Sequence, residues 1–272
     1  MIEGDLPLQP TDRGLLLGDG VFETLLVIDR VALWRDAHLA RMGSTATALG
    51  IPFDAAKIAG TIDHLLAGAS PGTHVLRATL TRGSSVRGLA GDGEKPTLLA
   101  ILDPFSKDLL FQPVRLATSA IRRNEHAPSS RFKTLSYIDN IAAAREAAAQ
   151  GADDALMLNT AGHAASSTIS NLFLIKGDQL ITPSLDQAIL PGIMRAALLD
   201  AAASRGFTTV ERPVALAELT AAEAVFLTNS LRFIRPVTTL DGRPLGTRAL
   251  AALVDTLCHL AKQQCGRDPR LI

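Results

Sequence analysis

Cysteine is almost missing from this chain: Cys258 and Cys265 are the only two in 272 residues. Two cysteines cannot build a disulfide framework, and no Cys/His group has the spacing of a zinc site. A reducing compartment, the cytoplasm, is the expected location. Net charge is missing too, because 27 Lys+Arg balance 27 Asp+Glu. A neutral chain has no global pull on nucleic acid or anionic lipid, so neither is an expected partner. No uncharged apolar run approaches the roughly 18–20 residues of a membrane span. The alanine-rich stretch 142–149 is broken by Arg145 and Glu146. Residues 1–5 have no basic stretch leading into an apolar one, so no leader peptide is expected. Lysine is scarce as well. Only Lys57, Lys95, Lys107, Lys133, Lys176 and Lys262 occur, so a lysine among apolar residues stands out.

What is present is an ordinary globular composition, 47% hydrophobic and 20% charged, which argues against wholesale disorder. The length suits one large domain or two of roughly 100–150 residues. Apolar, partly β-branched runs predict strands over 21–28, 31–34, 74–81, 97–102 and 114–119. Periodicity near 3.6 predicts helices from Asp36 and over 55–67. The second half reads as a helix over 138–150, strands over 154–158, 171–175 and 179–182, and a helix opened by Pro191-Gly192. Strands over 208–213, 224–228 and 234–240, a short helix over 217–222 and a last helix over 248–264 complete it. Gln112-Pro113 reads as a linker, giving domains 1–112 and 113–272. Strands and helices mixed in both halves mean an α+β or α/β protein.

Three features carry chemistry. In segment 12–24, Gly14, Gly18 and Gly20 precede a strand with Glu23 in an apolar run; a tight turn into a core strand explains the same pattern. Lys133 lies between Phe132 and Leu135 before the alanine-rich helix. Such a lysine is either a surface side chain lying along apolar neighbours or a partly desolvated amine able to form a Schiff base. Pro191-Gly192-Ile193-Met194 starts a helix with free amides, a natural anion cradle. Thr228-Asn229-Ser230 offers further donors, and Arg41 a charged one. A reactive lysine with a phosphate cradle suits a phosphorylated aldehyde.

In this order, the motifs resemble the fold-type IV pyridoxal-phosphate enzymes, the class IV aminotransferases. The matching segments are 12–24, His38-Leu39-Ala40-Arg41, Lys133 and its following helix, Asn171-Leu172-Phe173, Leu190-Pro191-Gly192-Ile193 and 228–237. The resemblance implies an α+β fold with a small N-terminal α/β domain and a larger C-terminal pseudo-barrel domain carrying Lys133. It implies pyridoxal 5'-phosphate as cofactor and a homodimer. Lys133 matches the catalytic lysine that forms the Schiff base and shuttles the proton. Arg41 matches the phosphate-binding arginine, Ile193 and Met194 the helix-start donors, and Asn229 and Ser230 the second phosphate loop. Tyr137 stands near the family's tyrosine on the cofactor's O3′, one residue short of the branched-chain spacing. Phe22, Arg82 and Arg87 are the candidate substrate contacts.

Two departures stand out. Met194 replaces a frequent threonine, losing a hydroxyl but not the amide. Ser166 stands five residues before Asn171, where most of the family have a glutamate that pairs with the pyridine nitrogen. A serine cannot fix the charge of that nitrogen. The resemblance implies a class IV aminotransferase acting on a small amino acid or amine through an external aldimine. A 4-amino-4-deoxychorismate lyase, whose wording segments 81–88, 122–125 and 227–237 resemble, is the alternative. A cofactor-binding protein with decayed catalysis is the third reading.

Overall fold

The computed structural model describes residues 8–93, 95–248 and 250–272. The expected lack of a leader in residues 1–5 lies outside them, as does one residue of the helix expected over 248–264. The chain divides into two units. The first holds the described residues up to Lys107 together with Phe132–Ser136 and Ile272; the second holds Asp108–Arg131 and Tyr137–Leu271.

In the first unit the elements run α1 (Arg13–Leu17), β1 (Gly20–Ile28), β2 (Val31–Ala32), α2 (Arg35–Ala48), α3 (Ala55–Gly68), β3 (Thr73–Thr81) and β4 (Thr97–Pro104). The sheet is antiparallel, in the order β2-β1-β3-β4. Side chains alternate across a strand, so the pairing of Leu25 with Leu76 and of Glu23 with Ala78 puts these residues on one face. That face carries the core, where Val21, Leu25, Val27, Leu76 and Leu80 meet Met42 and Ala46 of α2 and Ile58, Ile62 and Leu66 of α3. Each of the valine, leucine, isoleucine and methionine side chains among them, fully buried, contributes about 1.5–3 kcal/mol. Phe22 and Thr24, paired with Thr79 and Arg77, belong to the opposite face.

Residues 13–17, expected as part of a turn, form a short helix instead. Asp12 caps it by accepting from the Gly14 amide at 2.8 Å, and Gly18 closes it in the left-handed conformation at φ 68°. The segment Phe132–Ser136 clusters here and not with the C-terminal unit in which the sequence reading put Lys133. The cause is main-chain pairing. The Phe22 amide donates to the Lys133 carbonyl at 3.0 Å and the Leu135 amide to the Gly20 carbonyl at 2.9 Å, beside an antiparallel bridge from Val21 to Thr134. This pairing uses β1 positions that the two-residue β2 does not reach.

The second unit runs β5 (Val114–Arg123), α4 (Pro128–Arg131), α5 (Ile138–Ala149), β6 (Asp154–Asn159), β7 (Ala164–Ser167), β8 (Asn171–Lys176) and β9 (Gln179–Thr182). It continues with α6 (Ile193–Ala202), β10 (Thr208–Glu211), α7 (Leu216–Ala221), β11 (Ala224–Asn229), β12 (Phe233–Leu240), β13 (Arg243–Pro244) and α8 (Ala251–Cys265). Its strands follow the order β10-β9-β8-β11-β12-β5-β6-β7, and β7 pairs back onto β8, closing a barrel. Leu116, Leu156, Leu172, Leu174, Leu227 and Val237 share one core cluster. Ala143 and Ala147 of α5, one turn apart, pack with Ala117, Ala155 and Met157 in another. Small alanines let α5 lie close to β5 and β6. Strand β7 has no sequence signal, because Ala-Ala-Ser-Ser has weak strand propensity; pairing with β6 and β8 creates it. Among the described residues no helix is long and apolar enough to cross a membrane.

Candidate active site

Lys133 is half-buried, and its Nζ lies 4.3 Å from the centroid of the Phe22 ring. The Arg77 guanidinium sits 3.8 Å from the same centroid. Cation–π contacts contribute about 0.5–1 kcal/mol when exposed and about 2 or more when desolvated, so the Phe22 ring helps to hold the amine in place. Next to Lys133, the Thr134 hydroxyl is buried with no partner among the described residues.

On the helix-covered face, Glu23 joins two residues of α2. Positions 38 and 41 are three apart and share one face of that helix. Arg41 donates Nε to Glu23 Oε1 at 2.7 Å and Nη2 to Oε2 at 2.6 Å. His38 Nδ1 lies 2.7 Å from Glu23 Oε2. Burial alone would raise the Glu23 carboxyl, but hydrogen bonds from His38 and Arg41, with the Arg41 charge, hold it at about 2. Burial pushes His38 below its ordinary 6.5, reinforced by the charges of Arg41 and Lys133 and opposed by Glu23. An ionised Glu23 only accepts, so a neutral His38 carries its hydrogen on Nδ1. Arg41 is thereby held by two parallel hydrogen bonds, its side chain only 10% exposed.

The candidate substrate arginines fare differently. Arg82 donates Nε to Asp19 at 2.8 Å, Nη1 to the Gly50 carbonyl at 2.7 Å and Nη2 to the Leu49 carbonyl at 2.7 Å. All three nitrogens are engaged, and Asp19 also receives Arg13 at 2.7 Å. Arg82 is thus a tie within the first unit. Arg87 is exposed.

In the second unit, Asn171 is the organising residue. It pairs with Ser166 of β7 and with Thr228 of β11. Its Nδ2 donates to the Leu190 carbonyl at 2.9 Å. Gly192 is required here, because a Cβ at that position would overlap Asn171 Oδ1. Asn171 therefore brings together Ser166, the start of α6 and the Thr228–Ser230 turn. Gly192 supplies no side-chain cap, so the first amides of α6, at Ile193 and Met194, gain no acceptor from it. The Met194 side chain is 1% exposed and belongs to the core. The Thr228 hydroxyl is buried without a partner among the described residues. Asn229 Oδ1 accepts from the Leu231 and Arg232 amides at 3.0 and 2.8 Å, fixing the turn that carries half-buried Ser230. Ser166 is buried and donates its hydroxyl to the Ser167 carbonyl at 2.9 Å, leaving its lone pairs as acceptors. Tyr137, half-buried, stands at the start of α5.

The structure thus gathers Lys133 and Phe22 on one strand edge, and Ser166, Ile193, Met194, Asn229 and Ser230 around Asn171. Sequence reasoning gave no site role to Glu23, His38 or Arg77, though Glu23 and His38 lay within its motifs, and offered Thr228 only as a further donor. A lone carboxylate in an apolar strand, with His and Arg at helical spacing soon after, was a usable signal for the first two. The positions of Arg77 and Thr228 depend on strand register.

The class IV aminotransferase model matches residues 20–240. A bifunctional aminodeoxychorismate lyase / D-amino acid transaminase of Mycobacterium tuberculosis is 30% identical, covering 93% of this chain and 93% of that one. A branched-chain-amino-acid aminotransferase of Pseudomonas aeruginosa is 29% identical over 84% of this chain and 78% of its own length. The solved structure of a hypothetical aminotransferase from M. tuberculosis, in a PLP-bound form, superposes with a TM-score of 0.87 at 26% identity, covering 97% of this chain and 96% of that one. The chain therefore belongs to the class IV aminotransferase family, the pyridoxal-phosphate-dependent enzymes of fold type IV.

Proposed function

We propose that this enzyme is an aminotransferase that takes the amino group of a small amino acid or amine, with pyridoxal 5'-phosphate as its cofactor. The single observation that carries the reading is the amine of Lys133, half-buried on the Phe22 ring in the unit that also holds Arg41 in a fixed fork. The donor set fits the phosphorylated aldehyde. It comprises one amine, one oriented guanidinium, an uncapped helix start and an unpartnered buried hydroxyl at Thr228. Arg41, the Ile193 and Met194 amides and the Asn229–Ser230 turn would hold the phosphate. Ser166 would accept from a protonated ring nitrogen, and Tyr137 would face the ring hydroxyl.

When bound, pyridoxal phosphate supplies an aldehyde that condenses with amines and a ring that withdraws electrons from the bond beside the nitrogen. The rest falls to the chain. Lys133 Nζ would hold the aldehyde. When free, Lys133 Nζ would be the base that takes the proton from the carbon bearing nitrogen and delivers it on. Phe22 lies against Nζ and helps to orient it. Glu23 and His38 keep Arg41 aimed.

Ser166 favours a second reading, the aminodeoxychorismate lyase. No carboxylate occupies its position, and its neutral lone pairs fix a ring proton weakly. A reaction that ends in an aromatic product has a driving force of its own and tolerates a weaker electron sink. The reading also includes a homodimer in the cytoplasm. Leu15, Leu16, Leu17, Val86 and Leu89 are exposed around a loop that Arg13 fastens through the Gly88 and Leu89 carbonyls, an apolar surface for a second copy.

The test is product analysis. Purified enzyme with the cofactor is given panels of L- and D-amino acids with a 2-oxo acid, and separately aminodeoxychorismate. Transfer of the amino group to the 2-oxo acid is the expected result. Pyruvate and 4-aminobenzoate without amino transfer would replace the first reading by the second.

A further inference from the structure

We propose that Arg123 is a positioning residue for the phosphate cradle, clamping the strained segment that leads into α6; this rests on the cofactor reading above.

Between Gln187 and Gly192 the chain is irregular, yet Ala188 and Ile189 are fully buried. Ala188 has φ 64° and ψ 38°, the left-handed region that residues with a Cβ seldom adopt. A short buried segment in such a conformation persists only if its surroundings over-determine it. Side chains from three strands do so. From β6, Asn159 Nδ2 donates to Gln187 Oε1 at 2.9 Å. From β8, Asn171 Nδ2 donates to the Leu190 carbonyl at 2.9 Å. From β5, Arg123 Nε donates to the Ala188 carbonyl at 2.7 Å, and its Nη2 reaches the Ser130 carbonyl at 2.8 Å.

Arg123 is the unusual member. Among the described residues it makes no ion pair; its hydrogen bonds go to two neutral carbonyls, and burial pulls its pKa down. Tyr137 and Asp139 are the groups that pull the other way. A planar fork that joins two main-chain segments is costly to desolvate, and a hydrophobic side chain would fill the space at less cost. What the fork does is hold the Ala188 carbonyl, and hence the direction in which the chain enters α6, where the Ile193 and Met194 amides emerge four and five residues later.

The experiment compares binding to the apoprotein of pyridoxal phosphate and of pyridoxal, which lacks the phosphate, by quenching of the single tryptophan. The wild-type protein should prefer the phosphorylated form strongly. In Arg123→Met, pyridoxal phosphate should bind about tenfold or more weakly, while pyridoxal changes less than about twofold. Arg123→Lys keeps the charge but not the fork, and should recover less than half of the logarithmic loss. Arg123→Gln retains one amide donor toward Ala188 and serves if the methionine variant does not fold. Equal losses for both ligands, unchanged binding, or full recovery in Arg123→Lys would each overturn the positioning role. A wild-type protein with no preference for the phosphate would instead overturn the cofactor reading on which it rests.

Discussion

Glu23 is one buried carboxylate shared by a guanidinium and an imidazole, and its removal exposes what the arrangement does. Glu23→Gln leaves Arg41 without its counter-charge in a place with little water. Breaking a buried pair in this way costs about 3–5 kcal/mol. Urea denaturation should show a loss of that size; a loss under about 1 kcal/mol would mean that the fork is not what holds Arg41. The same group sets a pH dependence. Its folded pKa is about 2 against an ordinary 4.5, so its stabilisation is full above 4.5 and is lost as pH falls toward 2. His38 is a base whose folded pKa is lowered from 6.5, so below 6.5 the unfolded chain takes up that proton first and stability begins to fall. Acidification should therefore lower the urea midpoint in two stages. His38→Asn, which keeps a donor toward Glu23, should flatten the stage between 6.5 and 4.5; identical profiles would contradict the assignment. Residue types were legible at this scale and partnerships were not. Glu23 reads from sequence as an oddity in a strand, and only the packing of α2 on β1 turns it into the partner of Arg41.

At the scale of elements, the long periodic helices and apolar strands were readable because burial on one face imposes a period. Residues 55–67 and 138–150 follow α3 and α5 closely. Two elements escaped. Helix α1 is too short to show a period and exists through the Asp12 cap and Gly18. Strand β7 is made by its neighbours. The start of α6 was readable from Pro191-Gly192, but the reason for the glycine was not, since it lies in Asn171, 21 positions earlier. Gly192→Ala should displace the Asn171 amide and cost about 1–3 kcal/mol. Asn171→Ala should cost stability by leaving the Leu190 carbonyl unpaired. The two changes should couple: the double variant should lose less than the sum of the single losses, because the smaller side chain makes room for the new methyl group. Strict additivity in denaturant unfolding would show that Asn171 is not what excludes a side chain at 192.

For the whole molecule, family and fold were legible from ordered motifs spread along the chain, and the comparisons bear them out. The reaction itself was not, because transamination and the lyase reaction begin alike and differ in the substrate. Nor was the way the chain is shared between its units. Residues 132–136 cluster with the first unit through pairing to Gly20 and Phe22, an association that no local pattern encodes. The account's central claim is that the amine so placed, Lys133, carries the cofactor. The direct measurement is reduction of the pyridoxal-phosphate-loaded protein with borohydride, followed by peptide mapping by mass spectrometry. The phosphopyridoxyl group is predicted on Lys133 alone and absent from a Lys133→Ala variant that still folds. Stable label on any of the other five lysines, with Lys133 unmodified, would contradict the account.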